Sequence, residues 1–159
     1  MKTASVKDIQ AELEQLAQPR LMALCLRLAK FKKENKELLT YLLFESFDED
    51  TYVVNVKKYI EEQFAAINTS NLYFVKKSLR KILRTTAKFI RYTGSANAEV
   101  QLLIHFCDTL RSTGIPVNES QLLINIYQNQ LKKIEKVIAT LHEDLQYDFR
   151  KDLDQLKLP

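Results

Sequence analysis

Residues 70–94 read SNLYFVKKSLRKILRTTAKFIRYTG, and two kinds of side chain recur in them with the period of a helix. At roughly 100° per residue, Leu72, Val75, Leu79, Ile82, Leu83, Phe89 and Ile90 fall on one arc. Lys76, Lys77, Arg80, Lys81, Arg84, Lys88 and Arg91 fill most of the opposite half, with Tyr73 among them and Tyr92 at the flank. A strand would send alternate residues to opposite faces and scatter both sets. The stretch therefore predicts an amphipathic helix over about residues 70–93. The capping cluster Asn68-Thr69-Ser70 precedes it, and Gly94 ends it in the C′ position.

The same period extends in both directions. Ser5 with Asp8 three residues on forms a capping-box pair that opens a first helix, with Ile9, Leu13 and Leu16 on one face. Pro19 suits the first turn of a second helix over about 19–32. Leu21, Met22, Leu24, Cys25, Leu26, Leu28 and Phe31 make that helix apolar on more than one side, which predicts extensive burial. The polar run Lys32 to Lys36 fits either a turn or an exposed stretch of a longer helix. A third helix carries Leu38, Leu39, Leu42, Leu43 and Phe44, and the acids Asp48, Glu49 and Asp50 favour the start of a fourth. Val53, Val56, Tyr59, Ile60, Phe64 and Ile67 form its inner face. A sixth helix runs from about Asn97 to Thr113 and stops at Gly114-Ile115-Pro116. Asn118, with Gln121 three residues on, caps a seventh. From Tyr127 through Leu131, Ile134, Ile138, Leu141 and Leu145 to Leu156, the spacing fits one long helix or two with a bend near His142.

Two segments resemble one another. Leu26-Arg27-Leu28-Ala29-Lys30-Phe31 and Leu83-Arg84-Thr85-Thr86-Ala87-Lys88-Phe89 share Leu-Arg and Ala-Lys-Phe with one residue inserted. Each leads through a polar connection to a helix ending in Leu42-Leu43-Phe44 or Leu103-Ile104-His105-Phe106. The pattern suggests two three-helix units, roughly 19–67 and 72–140, with a helical tail from 141 to 159, inside one domain covering 1–159. In this respect the chain resembles the helical stacks of HEAT and armadillo repeat proteins. That resemblance implies antiparallel hairpins sharing apolar faces in an α-solenoid-like stack of seven or eight helices, the alternative being an irregular closed bundle.

Composition agrees with an all-α fold. The 159 residues contain 2 Gly and 3 Pro, too few for the many turns of a sheet protein. Hydrophobic residues at 46% and charged residues at 28% suit an ordinary folded domain. No run approaches a membrane span, and the charged N-terminus lacks an apolar stretch of the secretory type. A cytoplasmic protein is expected. Cys25 and Cys107 lie in apolar runs and are expected to be reduced core residues.

Catalytic, cofactor and metal signatures are not found in the sequence. His105 and Asp108 can share a helix face, but two ligands fall short of a zinc site, and His142-Glu143-Asp144 is remote in sequence. Gly94 and Gly114 are isolated, so no phosphate loop exists. An enzyme would need a concave pocket with convergent polar groups, most plausibly around His105 or His142. The cationic face is the remaining feature. It suits an acidic protein partner, or alternatively nucleic acid bound without sequence preference. A membrane surface suits it less, because the apolar arc would have to leave the core. The competing expectation is a solvated surface paired with acids at 48–50 or in the tail, such as Glu143, Asp144, Asp148, Asp152 and Asp154. The net charge of +4 and isoelectric point near 9.0 permit either. The reading is thus a non-enzymatic interaction or scaffolding module without cofactor, monomeric or dimerising through its C-terminal helix.

Overall fold

The computed structural model describes residues 2–157. Among them are eight α-helices and no strand: α1 (Val6–Glu14), α2 (Gln18–Phe31), α3 (Lys33–Thr40), α4 (Glu49–Ala65), α5 (Leu72–Thr93), α6 (Ala96–Ser112), α7 (Gln121–Ile138) and α8 (Glu143–Lys157). The chain divides into two compact units, Met1–Phe44 and Glu45–Pro159. The division falls inside residues 19–67, the first of the two segments that the duplicated pattern suggests.

In the N-terminal unit, Ser5 and Asp8 form the expected reciprocal cap. The Ser5 hydroxyl accepts from the Asp8 N–H at 3.2 Å, and the Asp8 carboxylate accepts from the Ser5 N–H at 3.1 Å. The Ser5 hydroxyl bond to that carboxylate, helped by the backbone bond, holds Asp8 below its ordinary pKa. The polar run after Phe31 proves to be a one-residue break. Lys32 is extended at φ −141° and ψ 144°, and α3 starts at once. Asn35 fastens the corner by donating from Nδ2 to the Leu28 carbonyl at 2.9 Å.

The expected burial of α2 does not occur. No residue of α1, α2 or α3 is buried, and Met22, Leu26, Leu28 and Phe31 are exposed. Cys25 is likewise exposed rather than in a core, although both cysteines are free. Three short helices in 44 residues have too little mutual surface to cover every apolar side chain.

The C-terminal unit is organised around α6, which meets α4, α5, α7 and α8. Val100, Leu102, Leu103, Phe106, Cys107 and Leu110 of α6 are all buried. Tyr52, Val53, Val56, Ile60 and Phe64 of α4 cover one side, with the Phe64 and Phe106 rings 5.2 Å apart. Asp48 caps α4, its Oδ1 accepting from the Thr51 N–H at 3.0 Å. Ser95 caps α6 through the Ala98 N–H and donates its hydroxyl to Glu49 at 2.8 Å, tying the starts of α4 and α6 together.

Gly94 and Gly114 both take left-handed backbone angles, with φ 61° and 69°, which fits their helix-ending positions. Ile115 then turns inward and is buried. Asn118 is not the cap of α7. It lies within a 3₁₀ turn, Val117–Glu119, and α7 begins after Ser120. The backbone finishes the tight turn first, and the helix starts two residues later than the cap pattern implies. The long C-terminal pattern is two helices, broken between Ile138 and Glu143. Helix α8 packs on α6 and α7 and buries Leu153 and Leu156 within its own chain.

Candidate functional site

Helix α5 is the helix that the sequence pattern describes, with one shift at its start. Asn71, rather than the preceding cluster, supplies the cap by accepting from the Tyr73 N–H at 2.8 Å. Val75, Leu79, Ile82 and Ile90 are buried, Leu83 and Phe89 are half-buried, and Leu72 is left exposed. Thr86 is the addition that pattern reasoning missed: it is fully buried, and its hydroxyl has no hydrogen-bond partner. Hydroxyl residues give no periodic signal, so its place on the inner arc is visible only by counting angles.

The seven cations lie on the outer face within an arc of about 140° at the regular helical rotation. Lys77, Arg80, Lys81, Arg84 and Arg91 are exposed; Lys76 and Lys88 are half-buried. Lys88 Nζ stands 5.3 Å from the Phe89 ring centre. That ring also meets Tyr59 edge-on at 5.5 Å. Among the described residues, Lys76, Lys77, Arg80, Lys81, Arg84 and Arg91 make no ion pair with any acid. The expected pairing of these six with acids at 48–50 or in the tail is therefore not found. Those tail acids have other neighbours: Asp154 lies 3.8 Å from Lys157, and Asp144 lies 3.6 Å from His142.

The C-terminal unit also holds an open polar cleft of about 780 Å³ beside His105, lined by Lys57, Asp108, Arg111 and Asp152 among others. His105 is thus in a concave polar setting, whereas His142 is exposed at the start of α8 and does not line the cleft. Burial is the main reason the His105 pKa falls below its ordinary value, and the nearby Lys57 ammonium adds to it. Glu61 and Asp108 oppose the shift. The Glu61 carboxylate lies 3.0 Å from His105 Nε2, yet off the hydrogen-bonding direction, so that buried nitrogen has no hydrogen-bond partner.

Several polar groups around this cleft are engaged in holding α8. Arg111 donates to the Gln155 carbonyl at 2.7 Å, and the Tyr127 hydroxyl donates to the Leu156 carbonyl at 2.8 Å. The last carbonyls of a helix have no partner in their own helix, and a cation there also meets the negative end of the dipole. Sequence reasoning missed both roles, because Arg111 and Gln155 are 44 residues apart. Cys107 is fully buried on α6, and burial pushes its thiol up to about 12. Burial and the raised pKa both disfavour the thiolate that a nucleophile needs.

Comparison with known proteins gives little likeness. No family model matches the chain, and no solved structure matches it. It is similar to a phosphoenolpyruvate carboxylase of Picrophilus torridus, 31% identical over 96 residues. Those residues are 59% of this chain but 18% of that protein, so the chain spans less than a fifth of the relative's length. Among the described residues, no helix is long and apolar enough to cross a membrane.

Proposed function

We propose that this protein is a non-enzymatic interaction module that presents the outer face of α5 to an acidic protein partner. Lys76, Lys77, Arg80, Lys81, Arg84, Lys88 and Arg91 are the contact residues. One observation carries the reading: six of these cations have no acidic partner among the described residues, while the opposite face of the same helix is anchored in a core. These six cations are therefore held outward on a helix whose inner face is buried, with no acid paired to them among the described residues. Such a face raises the local concentration of an anionic partner and orients its approach.

Arg111 at the edge of the polar cleft beside His105, and the neighbouring Tyr127, hold the end of α8, and this reading assigns the cleft no reaction. The partial likeness to a carboxylase covers too little of that enzyme to bring its activity here. The two similar segments, 19–67 and 72–140, belong to the proposal as duplicated scaffolding helices.

The test compares the wild-type chain with the triple variant Arg80→Glu, Arg84→Glu, Arg91→Glu, after circular dichroism shows equal helicity. Crosslinking in cells, followed by reconstitution with each purified partner, should give an acidic protein bound by wild type and lost by the variant. Binding should also weaken as salt rises. Retention of every partner by the variant sinks the proposal. A mobility shift with duplex DNA or RNA that the variant abolishes, without any acidic protein partner, transfers the stripe to nucleic acid.

A further inference from the structure

The N-terminal unit carries a second surface that the α5 reading does not use. Helices α2 and α3 pack side by side, and between them runs an open groove of about 560 Å³. Its floor is apolar, with Leu26, Leu39, Leu43 and Phe44. Its edges carry Lys30, Lys32, Lys33 and Lys36, and no acidic residue lines it. Lys33 reaches the half-buried Glu37 at 3.7 Å as a one-turn pair, while Lys30, Lys32 and Lys36 have no ion pair among the described residues. The occupant that this chemistry fits is a short helix with an apolar edge and acidic flanks.

The chain contains such a helix. In α1, Val6, Ile9 and Leu13 lie within an arc of about 60° at the helical rotation, and all three are exposed, Val6 by 83%. Asp8, Glu12 and Glu14 against Lys7 leave the helix acidic. No residue of α1 is fully buried, and Ile9 at 49% and Leu13 at 37% keep part of this edge open. Its length, about 14 Å at 1.5 Å per residue, suits a groove between two short helices. Helix α8 is also acidic, but its Leu153 and Leu156 are already buried. An anionic bilayer is flat, whereas the lysines here border a concave trough.

We propose that the protein self-associates by exchange of this helix: α1 of one chain lies in the lysine-edged α2–α3 groove of a second copy, and the second copy returns the contact. The exchange covers two partly exposed apolar faces in each chain and pairs acids with lysines at both grooves. Exchange of an identical element is a direct route to a closed dimer. This proposal is independent of the α5 reading, since different helices carry it.

The test uses charge reversal in the full chain, read by sedimentation over a wide range of concentration. Wild type should show a monomer–dimer equilibrium. Lys30→Glu with Lys36→Glu should weaken dimerisation by about tenfold or more, and Glu12→Lys with Glu14→Lys should do the same. These positions are exposed, so circular dichroism should be unchanged in both. An equimolar mixture of the two variants should regain the dimer, because each reversed groove then meets a reversed helix. Wild type that stays monomeric at every concentration overturns the proposal. So does a dimer indifferent to both variants, or a mixture that stays monomeric. Monomeric wild type that floats with phosphatidylserine vesicles assigns the groove to lipid instead.

Discussion

Helices α2 and α6 are built from similar residues and meet opposite fates. Helix α2 carries Leu21, Met22, Leu24, Cys25, Leu26, Leu28 and Phe31, none of them buried. Helix α6 carries Val100, Leu102, Leu103, Phe106, Cys107 and Leu110, all of them buried. The difference lies in their neighbours. Four helices surround α6, whereas α2 has α3 as its principal packing partner. Apolar content sets how much surface a helix needs covered. Whether it is covered depends on how many other helices reach it. Each unit also holds a cysteine that reports this contrast, Cys25 exposed and Cys107 buried.

The cysteines offer the strongest way to break the contrast. In the native protein a thiol reagent should modify Cys25 at once, while Cys107 should wait for unfolding. Its reaction should then be slower by a factor of about 10³ or more, in line with usual opened populations. Burial, which pushes the Cys107 thiol up to about 12, adds to the delay. Equal rates, followed by mass spectrometry, would show that the α6 core is not closed.

Stability should follow the same division. Phe106→Ala removes a fully buried ring packed on Phe64 and should cost about 3–5 kcal/mol. Phe31→Ala removes a ring that is 76% exposed and should change stability by less than about 0.5 kcal/mol in the isolated monomer. Urea unfolding of the two variants gives both numbers. A comparable loss at Phe31 would mean that α2 has a core of its own.

The smallest expected effect concerns pH. Burial lowers the His105 pKa below its ordinary 6.5, so the folded state binds that proton more weakly than the unfolded chain does. The neutral imidazole leaves stability intact above the unfolded value. As pH falls below 6.5 towards the folded value, stability is progressively lost. His105→Gln should therefore flatten the acid-side decline of the melting temperature between pH 6.5 and 5, and leave the curve above pH 7 parallel to wild type. An unchanged decline would place the titration elsewhere.

Much of the fold was legible in the residues. The α1 capping box and the ends at Gly94 and Gly114 depend on contacts within a few positions, and the spacing of residues 72–93 gave the two faces of α5. Asn118 misled because a 3₁₀ turn used the backbone that a helix start would need. The α5 stripe was visible as a pattern of charge, but the lack of an ion pair at Lys76, Lys77, Arg80, Lys81, Arg84 and Arg91 was not. A sequence does not say which distant acids come within 4 Å. The cleft beside His105 was still less accessible, since Lys57, Arg111 and Asp152 come from three helices.

The sequence by itself determined that the chain is helical, where most helices begin and end, and which face of each is apolar. These properties follow from backbone geometry and from hydrogen bonds spanning about four residues. Tertiary structure alone decided that α6 is enclosed while α2 is not, that Cys107 is sealed and Cys25 open, and that Arg111 and Tyr127 hold the end of α8. Burial and long-range pairing belong to sets of helices, and no single segment encodes how many others will pack against it.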